Sequence, residues 1–555
     1  MKLYPWFKLD SLNGFVVLAI GLFSVLTLLY SFRYMKGKRG FGQYYIYIIL
    51  TAITAILTVL SNNLVLLLTL WGFLGLTLYL LIIMGDKDSD LAAKKAFIII
   101  GGSDALMLLG IGIIYYLTGT FQMDKIKIPL HITHYKLHTA AYLCLAVACF
   151  AKAGAMPFHS WIPDCAKSAP TPVTAYLPAS LDKLLGIYLL ARISLDLFVM
   201  NSSMNAFLML IGAVTIIAAV MMALIQHNMK KLLGYHAVSQ VGYMVLGIGT
   251  GTAIGIAGGL FHMLNHAIYK SCLFLTGGNV EYRAKTTELD ELGGLGKLMP
   301  ITYMSCLIAS LSISGVPPFN GFVSKWMIYQ GLVTQLQSPN AGLRIISVLC
   351  LAAAMFGSAL TLASFMKLLH ATFLGQRTED RGRKTEISEV PWTMWFPCVI
   401  LAGLCVIFGV FAYQIPLKYF ILPAVGQVNF IGAWPALSAT ALIIVGLGLG
   451  VLVFNLKAVK PGLRRDAAYT GGETVAFPET RITGTEFYNT VKEYGILKRV
   501  YRSAEAGLFD IYEQGKNIVF GIGGFLRYLH NGVLPTYLVW TLLGMIWLFL
   551  VLLRK

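Results

Sequence analysis

Charge is scarce in this sequence. Only 12% of its 555 residues are Asp, Glu, Lys or Arg, while 57% are hydrophobic. Mean hydropathy is +0.72. Water-soluble globular chains carry about 25% charged residues, so a soluble fold is excluded. Acidic residues are the scarcest part: 25 against 43 basic ones, a formal charge of +18. Such an excess could serve a nucleic-acid surface. Here the basic residues gather in short loops between apolar runs, where they orient a chain in a bilayer. Cysteine is sparse too, with eight residues, mostly in apolar runs and with no CxxC pair. That spacing speaks against a metal or iron–sulfur site and makes them packing residues. No small-residue cleavage site follows the first apolar run, so a cleavable leader is not expected.

What is present is a series of apolar runs, each long enough to cross about 30 Å of hydrocarbon. Fourteen are predicted, near 11–33, 41–60, 62–84, 93–118, 137–155, 171–194, 205–226, 232–251, 254–277, 300–335, 343–374, 393–413, 431–456 and 534–553. With the N-terminus outside, odd-numbered runs end at the basic loops 33–40, 85–95, 227–231, 281–297, 375–384 and 457–465. The opposite loops are poor in charge, so the parity supports the number of spans.

Two runs are interrupted. The fifth leads into "KAGAMPFHSWIPD", with breaks expected at Pro157, Pro163 and Pro170. The tenth contains "SGVPPFNGFVSK", with breaks at Pro317 and Pro318, and reads as one discontinuous helix. Paired discontinuous helices in two halves point to an inverted-repeat transporter. Titratable residues cluster at the same depth. Lys152 stands before the first break and Lys325 after the second. Asp104 lies in the fourth run, Asp182 and Lys183 in the sixth, and His236 in the eighth. His262, His266 and Lys270 are four apart in the ninth, hence on one helix face. Singly, each has a plainer reading: a lysine snorkels, a histidine satisfies a neighbour, and Asp182 and Lys183 point about 100° apart and need not pair. Lys230 and Lys231 read as orientation charges. As a set, buried ionisable groups at membrane depth mark an ion or proton pathway.

The stretches "KAGAMPFHSWIPDCAKSAPTPVTAYLPASLDK", "LLGYHAVSQVGYM", "FHMLNHAIYKSCLFL" and "GVPPFNGFVSK" occur in that order. In them the chain resembles the antiporter-like, proton-conducting subunits of respiratory complex I. That family includes Mrp-type cation/proton antiporters and membrane-bound hydrogenases, and the wording is closest to the hydrogenase type. The resemblance covers roughly Leu64 to Leu374. It implies that Lys152 is the lysine of the first broken helix, Lys183 the bridging lysine, Lys325 the terminal residue of the relay, and His262, His266 and Lys270 its central helix. It further implies other antiporter-like and small membrane subunits as partners, and a peripheral redox arm holding iron–sulfur clusters with a NiFe centre or flavin, this chain binding no cofactor itself. Two departures stand out. The family usually starts with two more spans. Its membrane glutamate follows a Trp, where this chain has Gly72 after Trp71, leaving Asp104 as the replacement partner for Lys152.

The expected fold is therefore an all-α polytopic membrane protein with two inverted repeats. Its divisions are N-terminal spans (1–60), a first half (61–251), a second half (252–456), a linker with a lateral amphipathic helix (457–533) and a terminal anchor (534–555). One amphipathic helix over 485–531 would reach about 70 Å, although Gly495, Gly507 and Gly515 could break it. The expected function is H+ or Na+ translocation in a prokaryotic cytoplasmic membrane, in the order Asp104, Lys152, Lys183, His236, the His262/His266/Lys270 face, then Lys325. The alternatives are an Mrp-type cation/proton antiporter component, or a non-conducting assembly component favoured by Gly72.

Overall fold

A computed structural model describes residues 2–4, 6–38, 40–86, 88–130, 135–375, 387–432, 434–455 and 485–553. The basic loops expected after the eleventh and thirteenth runs lie largely outside these residues. The chain forms two compact units, Met1–Tyr494 and Gly495–Lys555. The junction expected at 251/252 falls inside the first.

Each expected run contains helix among the described residues. Ten helices are long and apolar enough to cross a membrane among the described residues. They include α1 (Ser11–Tyr34), α2 (Phe41–Leu60), α3 (Leu64–Ile82) and α4 (Ser89–Thr118). The other four runs fall below that limit. They are α5 (Tyr135–Ala153) and, beyond four intervening helices, α10 (Met229–Gly249), α11 (Ala253–Ala284) and the interrupted pair α12 (Pro300–Ser314) and α13 (Asn320–Gln335). In α5, α10 and α11 the residues Lys152, His236 and the His262/His266/Lys270 face lower the hydropathy, whereas the break leaves α12 and α13, the latter bearing Lys325, at 15 and 16 residues. Burial compensates: α10 and α11 are enclosed along nearly their whole length.

Both breaks occur. Helix α5 stops at Gly154, whose φ of 82° needs glycine. A Cβ there would also lie 1.9 Å from Ile162 Cδ1. The chain resumes as α6 (Trp161–Ser168) and α7 (Thr171–Tyr176), passes through a π turn (Leu177–Leu181), and continues as α8 (Asp182–Arg192). Pro163 sits inside α6, where an early helical position tolerates it; the break is at Gly154–Ser160, and Pro170 separates α6 from α7. The second break runs from Gly315, with φ 79°, through Pro317 and Pro318 to Asn320.

Helix α9 (Ser202–Leu224) packs against α10 with their backbones in contact, since a Cβ on Gly212 would lie 2.7 Å from Gly242 O. Small residues permit such an approach between membrane helices. Helices α14 (Ala341–Leu369), α15 (Trp392–Val410) and, beyond the short α16 (Leu422–Val425), α17 (Ala436–Asn455) complete the membrane part of this unit.

Loops expected on one membrane side are bonded to one another. Tyr34 Oη donates to Glu281 (2.7 Å), Lys95 pairs with Asp164 (2.7 Å), and Met229 N donates to Thr287 O (2.8 Å). At the other end Met123 N donates to Asn62 O (2.9 Å), and Ile128–Pro129 pairs in parallel with Phe198–Val199. The alternation read from the basic loops is therefore kept.

The end that holds Asn62 and Met123 also carries a charge cluster. Arg192 donates to both Asp10 oxygens (2.8 and 2.9 Å) and to Asp196 (2.6 Å). They border a cavity of about 450 Å³ that none of the anticipated relay lysines lines. Burial pushes the Asp10 carboxyl up, but hydrogen bonds and charge from Arg192 outweigh it and leave Asp10 below its ordinary value. A depressed carboxylate stabilises the fold above its unfolded value, and that stability is lost as pH falls through the folded value. Thermal midpoints of the purified protein in detergent should fall from pH 6 to pH 3 more steeply than in Asp10→Asn, which starts lower and lacks this step.

After the short α18 (Asn489–Glu493), the second unit contains α19 (Gly495–Glu505), α20 (Ile511–Leu529) and α21 (Leu534–Leu553). The single long helix expected over 485–531 is not formed. Positive φ at Gly495 (38°) and Gly507 (78°) ends helices there, while Gly515 stays inside α20. Helix α20 reaches only about 28 Å at 1.5 Å per residue.

Candidate functional site

Lys152 occupies the last turn of α5 and is fully buried. Its Nζ lies 3.7 Å from Asp182 Oδ1, and 5.5 Å from the centre of the buried Trp71 ring. The expected partner, Asp104, is not the nearest carboxylate. It is half-buried, acts on Lys152 only through its charge, and its Oδ1 has no hydrogen-bond partner among the described residues. Asp182 and Lys183 follow the π turn in a helix enclosed on all sides, so neighbours pointing apart both meet protein. Asp182 faces α5, and Lys183 Nζ lies 5.7 Å from the Trp161 ring beside the Gly154 break. Gly72 is exposed, and a Cβ there would meet no atom within 4 Å. The missing glutamate position thus opens outward from this chain.

The second group centres on α11. Lys270 Nζ donates to Leu233 O (2.7 Å), and Lys270 interacts electrostatically with both Lys183 and His266. Neither ring nitrogen of His266 has a hydrogen-bond partner among the described residues. His262 Nδ1 lies 2.9 Å from Ser324 Oγ, next in sequence to Lys325, and its Nε2 lies 3.1 Å from Gln240 Oε1. Lys325 Nζ donates to Ile313 O at the end of α12 (2.9 Å) and sits 4.6 Å from the Tyr243 ring centre. The anticipated residues therefore run Lys152–Asp182, Lys183, Lys270 and His266, His262, Lys325. The charges that act on His236 are those of Lys270, Lys325 and Lys367. His236 Nε2 lies 2.7 Å from Ser364 Oγ on α14.

Several participants escape a reading of the sequence. Gln240, Ser324 and Tyr269 bond His262. Neutral polar residues in apolar runs give no signal unless their partners are known. Lys230 is more than an orientation charge: it is buried, donates to Ala169 O (3.1 Å) and pairs with Glu281 (3.2 Å). Lys367 is likewise buried. No cluster of three or more His, Cys, Asp or Glu side chains able to hold a metal occurs among the described residues.

The arrangement defines an integral α-helical membrane protein with ionisable side chains along its interior. Residues 61–371 match the family described as NADH:quinone oxidoreductase/Mrp antiporter, TM, and the chain belongs to this family. It is 30% identical over 476 residues to an Na(+)/H(+) antiporter subunit of Alkalihalophilus pseudofirmus, covering 80% of this chain and 59% of that protein. It is also 30% identical over 424 residues to hydrogenase-4 component B of Escherichia coli, covering 73% of this chain and 62% of that protein. The chain thus spans about 60% of the length of these relatives, and both subtypes match at 30% identity. Among solved structures, a chain of the membrane-bound sulfane sulfur reductase, an archaeal respiratory membrane complex, superposes with a TM-score of 0.79 at 25% identity, over 98% of this chain and 89% of that one. A chain of the Mrp complex from Dietzia sp. superposes with a TM-score of 0.75 at 23% identity, over 99% and 56%. These relatives are themselves parts of multisubunit complexes.

Proposed function

We propose that this chain is an ion-translocating membrane subunit of a complex I-like or membrane-bound hydrogenase complex, and that its ion is the proton. The observation that carries the reading is the buried line from Lys152–Asp182 through Lys183, Lys270 and His266 to His262 and Lys325. Along it, Lys152 Nζ, Asp182 Oδ2, Lys183 Nζ and both His266 nitrogens have no hydrogen-bond partner among the described residues. Buried polar atoms are normally satisfied by protein or ordered water, so these atoms suit receiving and passing protons. Lys152 and Lys183 serve the first half, His262, His266 and Lys270 carry the middle, and Lys325 ends the relay. Asp182 holds Lys152, and Asp104 stands at the outer edge.

In this reading the energy comes from partner chains: a peripheral redox arm with iron–sulfur clusters and a NiFe centre or flavin, beside other antiporter-like and small membrane subunits. The match to the Na(+)/H(+) antiporter relative at the same 30% identity favours, as a second reading, cation/proton exchange without a redox partner. Purifying the complex through a tag on this chain, then reconstituting it in vesicles holding a pH-sensitive dye, separates the two. Redox subunits in the preparation and proton movement driven by electron transfer support the first. A preparation of small membrane chains alone, moving protons when only a Na+ gradient is imposed, overturns it.

A further inference from the structure

The relay leaves His236 and Lys367 without a task. Lys367, on α14, is buried, and its Nζ donates to Leu224 O (2.6 Å) and Gln226 O (2.8 Å) at the end of α9. One turn earlier on the same face, Ser364 Oγ lies 2.7 Å from His236 Nε2. The next residue, Phe365, is shared: the His236 ring centre lies 4.7 Å from its own, and Lys270 Nζ lies 5.6 Å from it. Gln226 immediately precedes His227, and Lys367 Nζ also lies 5.3 Å from the ring centre of Tyr488, whose backbone N–H donates to Thr485 O; the charge of Asp290 acts on Lys367. Asp290 accepts from Thr485 and lies 2.7 Å from His227 Nδ1, and this pair is open to solvent, with side chains 40% and 42% exposed. Both belong to the basic loops 227–231 and 281–297, expected on the cytoplasmic side.

The geometry points to a lateral proton-uptake branch, from the exposed Asp290–His227 pair through Lys367, Ser364 and His236 to Lys270 in the middle of the relay. It rests on the relay reading above and adds to it a route from the cytoplasmic surface. Each step moves one proton and breaks no other bond. A neutral Lys367 has two N–H groups, enough for the two carbonyls it caps, and keeps a lone pair that accepts a proton from the surface pair. The resulting ammonium returns it, directly or through one water, to Ser364 Oγ, whose own proton passes to His236 Nε2. His236 Nδ1, which has no hydrogen-bond partner among the described residues, releases a proton to Lys270 in its neutral form, whose nitrogen keeps its donor bond to Leu233 O and has a lone pair to accept it. The groups whose charge acts on His236 are Lys270, Lys325 and Lys367, and no carboxylate among the described residues is there to hold a proton on the ring.

A structural alternative exists: Lys367 simply caps α9. Arginine separates them, because it keeps the charge and the donors yet does not release a proton. Proton translocation is measured in vesicles holding the whole complex with Lys367→Arg, Lys367→Met, Ser364→Ala or Lys325→Ala. The branch requires Lys367→Arg and Ser364→Ala each to slow translocation about a hundredfold or more, the range lost with a positioned proton-transfer group. Wild-type rates in either of these overturn it, and they carry the test even where Lys367→Met fails to assemble. Normal rates in both alongside an inactive Lys325→Ala remove the branch alone. A normal rate in Lys325→Ala removes the relay on which the branch depends.

Discussion

A complex carrying Lys325→Ala or Lys325→Arg should assemble and yet translocate protons at least about a hundredfold more slowly, the low end for losing a positioned proton-transfer group. Lys325 is the last lysine of the line, held by one hydrogen bond to Ile313 O and by the Tyr243 ring. Alanine removes the proton carrier and leaves Ile313 O without that donor. Arginine keeps the charge and can still donate, but it holds its proton at every accessible pH. Loss in both variants, with subunit composition unchanged on native gels, assigns proton exchange to Lys325. Wild-type translocation in either variant removes it from the mechanism.

Asp182→Asn should affect both folding and transport. Lys152 and Asp182 are almost completely enclosed, with side chains 1% and 2% exposed. Removing one member of such a pair destabilises by roughly 3–5 kcal/mol, because the remaining charge stays buried without compensation. The yield of assembled complex should drop, and translocation per assembled complex should collapse. Asp182→Asn combined with Lys152→Met should recover the yield without recovering transport, since the orphaned charge is gone together with the carrier. Asp104→Asn should cost far less, as Asp104 is only half-buried and makes no ion pair with Lys152. Equal losses from Asp104→Asn and Asp182→Asn would return Asp104 to the place the sequence suggests for it.

That suggestion shows where sequence reasoning stops. Both helix breaks are legible because Pro and Gly act locally, and the His262/His266/Lys270 face is legible because a four-residue spacing needs only one helix. The Lys152–Asp182 pair is not legible. It depends on a π turn at Leu177–Leu181 and on a helix buried on every side, and the 100° separation of Asp182 from Lys183 argues for opposed faces only where one face is open. Lys230 reads as an orientation charge because the positive-inside rule accounts for any lysine near a loop, including one that pairs with Glu281 inside the protein. His236 reads as in line because its sequence order falls between Lys183 and α11; its partner Ser364, on a different helix, leaves no mark on that order. Over 485–531 the apolar spacing identifies helix correctly, but the left-handed backbone at Gly495 and Gly507 sets the lengths.

The shortfall in hydropathy of α5, α10 and α11 bears on how the chain is made. A segment inserted singly is judged on its own composition, and a lysine at a helix centre adds about 2.5 to 3.5 kcal/mol to that step. Helix α11 brings His262, Asn265, His266 and Lys270 within three turns, and α10 brings His236 and Gln240. Neither is a good candidate for entering lipid alone. As a hairpin they close tightly, since a Cβ on Gly247 of α10 would lie 2.8 Å from Gly255 O of α11, and their polar faces are then covered by α13 and α14. The groups suited to moving ions thus make their own helices dependent on neighbours during synthesis, and for this chain biogenesis and tertiary assembly are one process rather than two successive ones.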